Sequence, residues 1–92
     1  MMYPYIELPD ETLITHSHLM EVNGLKVVEV HFERPSENCF DSARITLPTY
    51  EWIMNDGYSE EELNKFEEIA RSAAGWFYKY AAIGGSPLAK TI

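Results

Sequence analysis

The chain has 92 residues, of which 46% are hydrophobic and 24% are charged, a composition that supports one hydrophobic core and argues against disorder. Fifteen acidic residues against seven lysines and arginines give a formal net charge of −8, and the scattered basic residues argue against direct binding to nucleic acid. The single cysteine, the lack of a cationic leader and the lack of a long apolar run argue against disulfides, secretion and a membrane span, and favour a cytoplasmic protein.

The first predicted element covers residues 3–8, which lie between the prolines of the N-terminal segment, Pro4 and Pro9. Proline cannot donate a hydrogen bond to a central ladder. The segment is therefore predicted to be a short edge strand or an extended arm, and the sequence does not fix its neighbour.

A β-hairpin is predicted next. Residues 12–22 and 25–34 are rich in Val, Ile, Leu, Thr and Phe, and only Asn23-Gly24 separates them. This dipeptide is the strongest short hairpin signal, because a type I′ turn needs positive φ at both central positions. A two-residue loop also fixes the register, which makes His16 face His31.

The third predicted strand covers residues 40–47, with Glu33 opposite Phe40. Side chains alternate between the two faces of a sheet, so this register sorts the apolar residues onto one face. The predicted core face carries Leu19, Val28, Val30, Ala43 and Ile45.

Helical structure is predicted for the rest of the chain. Residues 50–54 read as a short helical turn, and residues 59–83 as one long amphipathic helix that begins with a capping box of Ser59 and Glu62 and stops at Gly84. The apolar arc of this helix is wider than a three-stranded sheet face covers, and it includes Phe66, Ala70, Trp76, Phe77 and Ala81. Either the short helical turn or a second subunit covers the remainder, and we expect a homodimer.

These elements predict a single α+β domain over residues 1–85, followed by a flexible tail at residues 86–92. Its architecture is predicted to be an antiparallel sheet of three to four strands, with the hairpin at Asn23-Gly24, packed on a long C-terminal helix that a short helical turn precedes.

The face of the sheet away from the helix is predicted to carry all three histidines. His16 opposes His31 in this register, His18 lies two residues along, and Glu29 stands beside them. Three imidazoles near a carboxylate are the ligand set of a catalytic zinc, so a zinc-like divalent metal is one hypothesis for this face. The alternatives are ordinary solvated side chains, with no cofactor, or a contact that responds to pH.

The same face carries an apolar group near the turn. We expect these side chains and one arginine to contact a partner: Met20, Val22, Leu25, Val27 and Arg44. The sequence thus predicts a small acidic interaction or regulatory module, more readily a non-enzyme, that binds itself and a basic protein partner. A metal-binding protein or small metal-dependent enzyme, and a structural subunit of an assembly, stay open as alternatives.

Overall fold

The computed structural model describes residues 2–37 and 39–85, which form one antiparallel sheet with two helices on one of its faces. In chain order the elements are β1 (Met2–Glu7), β2 (Leu13–Ser17), β3 (Met20–Val22), β4 (Leu25–Pro35), β5 (Phe40–Leu47), β6 (Glu51–Asp56), α1 (Glu60–Ser72) and α2 (Ala74–Ile83). The strand order is β1-β2-β4-β5-β6, and β3 pairs with β4 beyond the end of β2. The predicted tail at residues 86–92 lies outside the described residues.

The predicted fold class is wrong in both layers. The sheet has six strands rather than three to four, and two helices replace the single long one. Residues 50–54, predicted to be a helical turn, lead into and form much of β6. Tyr50 takes a positive φ of 57° and its N–H bonds to the Thr46 carbonyl at 2.7 Å, which turns the chain back into the sheet. So short an apolar run has no periodicity that separates strand from helix.

The predicted hairpin is present, but the register of its first strand shifts by one residue. Next to the turn, Met20 pairs with Val27, as the two-residue loop requires. Farther from the turn, His16 pairs with Val30, and the predicted pairing with His31 is wrong. Side chains alternate between the two faces of a sheet, so a shift of one residue exchanges the faces on which the side chains of β2 lie, relative to the predicted register that β3 keeps.

Ser17 lies at this break in the strand. Its Oγ accepts the Glu29 N–H at 2.9 Å and donates to the His18 carbonyl at 2.8 Å. The hydroxyl therefore supplies a partner to a backbone amide that the shifted ladder leaves without one. Such an irregularity is a β-bulge stabilised by a side chain.

The register of β4 with β5 differs from the predicted one by two residues, because Pro35 rather than Glu33 pairs with Phe40. An even shift leaves every side chain on its predicted face. The predicted core face is accordingly present in the structure. Leu19 is partly buried in the core, and four predicted residues are fully buried: Val28, Val30, Ala43 and Ile45.

The helical layer begins and ends as predicted but is interrupted. The capping box of Ser59 and Glu62 is confirmed, and Gly84 ends α2 in the left-handed conformation. The helix breaks at Ala73, whose φ of −102° and ψ of 7° lie outside helical values. No proline lies there, and Gly75, a weak helix former, lowers the cost of an interruption. Neither helix of the described chain is long and apolar enough to cross a membrane.

Aromatic side chains join the helices to the inner face of the sheet. Phe66 of α1 stacks on Phe32 of β4, with the ring centroids 4.4 Å apart. Phe77 of α2 contacts Tyr5 of β1, with centroids 4.6 Å apart. The break at Ala73 thus separates a helix that packs on the centre of the sheet from one that packs near its β1 edge.

Candidate interaction surface

His16 lies in the core and not on the outer face of the sheet, the face away from the helices. Its side chain is fully buried between the rings of Tyr3 and Phe77, whose centroids are 5.7 Å and 5.9 Å away. Nδ1 donates to the Ser17 carbonyl at 2.9 Å, while Nε2 has no hydrogen-bond partner among the described residues. Burial lowers the pKa of His16, and the bond to the carbonyl offsets part of this effect. The ring is therefore neutral at pH 7.

The other two histidines are also apart. His18 is exposed at the bulge, whereas His31 lies on the outer face and is only 7% exposed. Nε2 of His31 lies 3.5 Å from Oε1 of Glu29, and Arg44 pairs with His31 from β5. Burial lowers the pKa of His31, Arg44 lowers it further, and Glu29 acts in the opposite direction.

The predicted zinc ligands therefore do not converge. Within residues 2–37 and 39–85, no group of three His, Cys, Asp or Glu side chains is placed to hold a metal ion. His31 and Glu29 alone are neighbours, one ligand short of the three protein ligands that a catalytic zinc uses. The register shift removes the geometry on which the metal hypothesis depended, and metal binding itself stays an untested prediction.

Most of the predicted partner-binding residues lie together at the hairpin end of the outer face. We call this group the apolar end: Met20 paired with Val27, and Val22 paired with Leu25. Val22 and Leu25 are 53% and 47% exposed, while Val27 is buried. Arg44 is on the same face but outside the group, opposite His31.

The rest of the outer face carries two rows of carboxylates. Glu7, Glu33 and Asp56 lie in one row across the sheet, connected through the strand pairings of Leu13 and Ser42. Glu29 and Glu51 lie in another row, on either side of Thr46. We call these five residues the acidic rows. His31 and Arg44 lie between them.

Sequence reasoning missed part of the acidic rows. Glu7 and the pair Glu51 and Asp56 join this face only because β1 and β6 are strands of the sheet. The alternation of Trp52 with exposed Glu51 and Ile53 was the signal that could have identified β6 as a strand.

The helical side of the molecule carries an open groove that the sequence did not predict. The groove has a volume of about 590 Å³ and runs between β1 and the helices, with Tyr5, Ile6 and Trp76 among its apolar lining. Trp76 was predicted to be on the buried arc of the helix, but it is 51% exposed. The break at Ala73 changes the direction in which the apolar arc faces. The small residues around Ala73 were the sequence signal that could have indicated the break.

Comparison of the chain with protein-family models, curated proteins and solved structures gave no significant match. On the outer face, Nε2 of His31 lies 3.5 Å from Oε1 of Glu29, and no hydroxyl or thiol of the described residues bonds to His31 as a nucleophile would. The outer face thus combines an apolar end with rows of carboxylates, two features that a protein-binding surface uses.

Proposed function

We propose that this chain is a small acidic protein-interaction module without catalytic activity, and that it binds its partner through the outer face of the sheet. Both helices pack on the opposite face, where they cover the core. The apolar end carries the proposal, because Val22 and Leu25 are half exposed beside the buried Val27. Apolar side chains grouped on a face that residues 2–37 and 39–85 leave open are typical of protein interfaces.

The homodimer stays a prediction. It was inferred from a helical arc too wide for a three-stranded sheet, but the sheet is wider and buries part of that arc within the chain. Four residues of the arc are buried in this way: Phe66, Ala70, Phe77 and Ala81. The metal-binding and structural-subunit alternatives also stay predictions, and no observation favours either.

Photo-crosslinking in the native cells tests the proposal. Leu25 at the apolar end and Glu61, which is exposed on α1, are replaced one at a time by a photo-crosslinking amino acid. We expect an adduct from the first position that Val22→Ser abolishes, and none from the second. An adduct of twice the chain mass from the first position identifies a homodimer through this face. Adducts from the helical position alone contradict the proposal.

A further inference from the structure

We propose that the outer face binds a cationic segment of another protein, an inference that rests on the proposed function and names its partner chemistry. Lysine or arginine side chains of the partner lie over the acidic rows, and apolar side chains lie on the apolar end. The chain distributes its own cations unequally between the two sides of the sheet.

The inner side uses cations of the chain to neutralise its carboxylates. Arg34 contacts Asp10, Asp41 and Glu62 at 3.2, 2.8 and 2.6 Å. These three carboxylates belong to a loop, β5 and α1, so the arginine compensates charge where the two layers meet. The negative charge of the inner side is thus partly satisfied within the chain.

Such compensation is lacking on the outer face as the described residues form it. Across residues 2–37 and 39–85, no lysine or arginine nitrogen lies within 4.0 Å of a carboxylate of the acidic rows, and His31 alone contacts one, Glu29. Arg44 is the one arginine placed among them by the strand pairings. Five carboxylates with one guanidinium and a neutral His31 leave this face strongly negative.

This charge excludes a second copy as the favoured occupant. Two outer faces brought together would oppose carboxylates to carboxylates, with a single arginine from each chain to compensate. Like charges juxtaposed at an interface cost several kcal/mol, whereas opposite charges also accelerate association. A cationic partner satisfies the acidic rows, and a second copy does not.

The positions along β4 predict the pattern of the partner segment. Glu33, Glu29, Val27 and Leu25 all face outward from this one strand. Glu33 and Glu29 are four residues apart, or about 13 Å at the rise of a strand. A partner segment that runs antiparallel to β4 has its first residue over Glu33. Such a segment matches the face when it carries cations at its first and fifth positions and apolar residues at its seventh and ninth.

A synthetic peptide with that pattern tests the inference. It carries lysine at the first and fifth positions, leucine at the seventh and ninth, and threonine elsewhere. The control peptides have glutamate in place of lysine, or the same residues in scrambled order. Binding to the full chain is followed by calorimetry and by amide chemical shifts, in low salt and in about 0.5 M NaCl, where exposed ion pairs are screened.

The matched variants change the net charge equally on the two sides. Glu29→Gln with Glu33→Gln removes the two carboxylates of the acidic rows that lie on β4, and Glu61→Gln with Glu68→Gln removes two from α1. We expect the first pair to weaken binding about tenfold and the second less than about twofold, since only the first lies under the peptide. The shifts should map to β3, β4 and β5.

Each contrary result has a distinct meaning. Equal weakening by the two variant pairs means attraction to net charge, and equal binding of the glutamate peptide means apolar contact alone. Equal binding of the scrambled peptide means that the positions of the cations and apolar residues do not matter. Each of these results overturns the inference. If the peptide fails to bind and the chain sediments as a dimer with outer-face amides protected, a second copy occupies the face. The proposed function then stands while the cationic partner is rejected. Shifts confined to the helical groove reject both.

Discussion

His16 shows how a single buried side chain makes the stability of the fold depend on pH. The imidazole is enclosed by aromatic rings of β1 and α2, and no charged group of the described chain is among the influences on its pKa. A buried imidazole without a carboxylate loses solvation when it is protonated and gains no compensating ion pair. The native state therefore resists protonation more strongly than the unfolded chain does.

The stability of the protein should fall in mild acid. Because burial lowers the native pKa of His16, the unfolded chain binds a proton first as the pH falls below about 6.5, and protonation then favours unfolding. His31, whose pKa burial also lowers, contributes in the same direction. Urea unfolding at pH values between about 7.5 and 5 should show a steadily decreasing free energy of unfolding, by up to about 1.4 kcal/mol per pH unit for each group.

The variant His16→Phe isolates the contribution of the buried ring. Phenylalanine retains an aromatic ring between Tyr3 and Phe77 but cannot be protonated, so the pH dependence of stability should become about half as steep as in the wild type. His18→Gln is the control, since it removes an exposed imidazole that lies outside the core. An unaltered slope in His16→Phe would refute this role.

Whether a residue lies on the outer or the inner face was predictable only where the observed register differs from the predicted one by an even number of residues. Val28 and Val30 lie on the predicted core face because the β4 and β5 shift of two residues leaves the faces unchanged. His16 does not lie on its predicted face, because an odd shift reverses alternation. No rule based on loop length alone detects such a shift within a strand.

At the scale of elements, the bulge at Ser17 is the main difference between the predicted hairpin and the observed one. Leu19, just after the bulge, is partly buried, and its N–H donates to the Ala81 carbonyl of α2 at 3.2 Å. The bulge therefore brings Leu19, the residue that precedes β3, into contact with the helical layer. The sequence shows the serine but does not predict its hydrogen bond, because the Glu29 N–H that it accepts belongs to a residue twelve positions away.

Replacing Ser17 by alanine should destabilise the protein. The residue is buried, and its loss leaves the Glu29 N–H without its acceptor, at a cost of about 1–2 kcal/mol. Urea unfolding measures the loss, and amide exchange at Glu29 should become faster than at its neighbours in β4. Ser72→Ala on the exposed end of α1 should change stability by no more than about 0.5 kcal/mol. Equal losses in the two variants would show that the hydroxyl does not support the bulge.

The elements that local signals define were predictable, and those that distant contacts define were not. The capping box at Ser59 and the turn at Asn23-Gly24 need only neighbouring residues, and both are present. The strand β6 depends on pairing with β5, and the break at Ala73 divides two helices that contact different parts of the sheet. Local propensity does not decide such cases.

On the scale of the whole molecule, Arg34 connects the two layers. Nε and Nη2 bind one oxygen of Asp41 at 3.1 and 2.8 Å, and Nη1 reaches Glu62 in the first turn of α1. The guanidinium also lies over the ring of Tyr58, 4.8 Å from its centroid. The bond from Arg34 is the largest cause of the lowered pKa of Glu62. These partners are up to 28 residues away in sequence, which is why the cluster could not be predicted.

Removing this guanidinium should therefore loosen the attachment of the helices to the sheet. In Arg34→Met the three carboxylates that it binds repel one another without a counterion, and we expect a loss of about 2–3 kcal/mol in the free energy of unfolding. Arg71→Met is the matched control: its arginine is 56% exposed, forms an ion pair with Glu67 and lies over the ring of Tyr50, so the loss should stay below about 1 kcal/mol. Because Glu62 would regain a more ordinary pKa, the difference between the two variants should shrink as the pH falls towards about 4. A pH-independent difference would mean that Arg34 stabilises the fold through packing on Tyr58 rather than through charge.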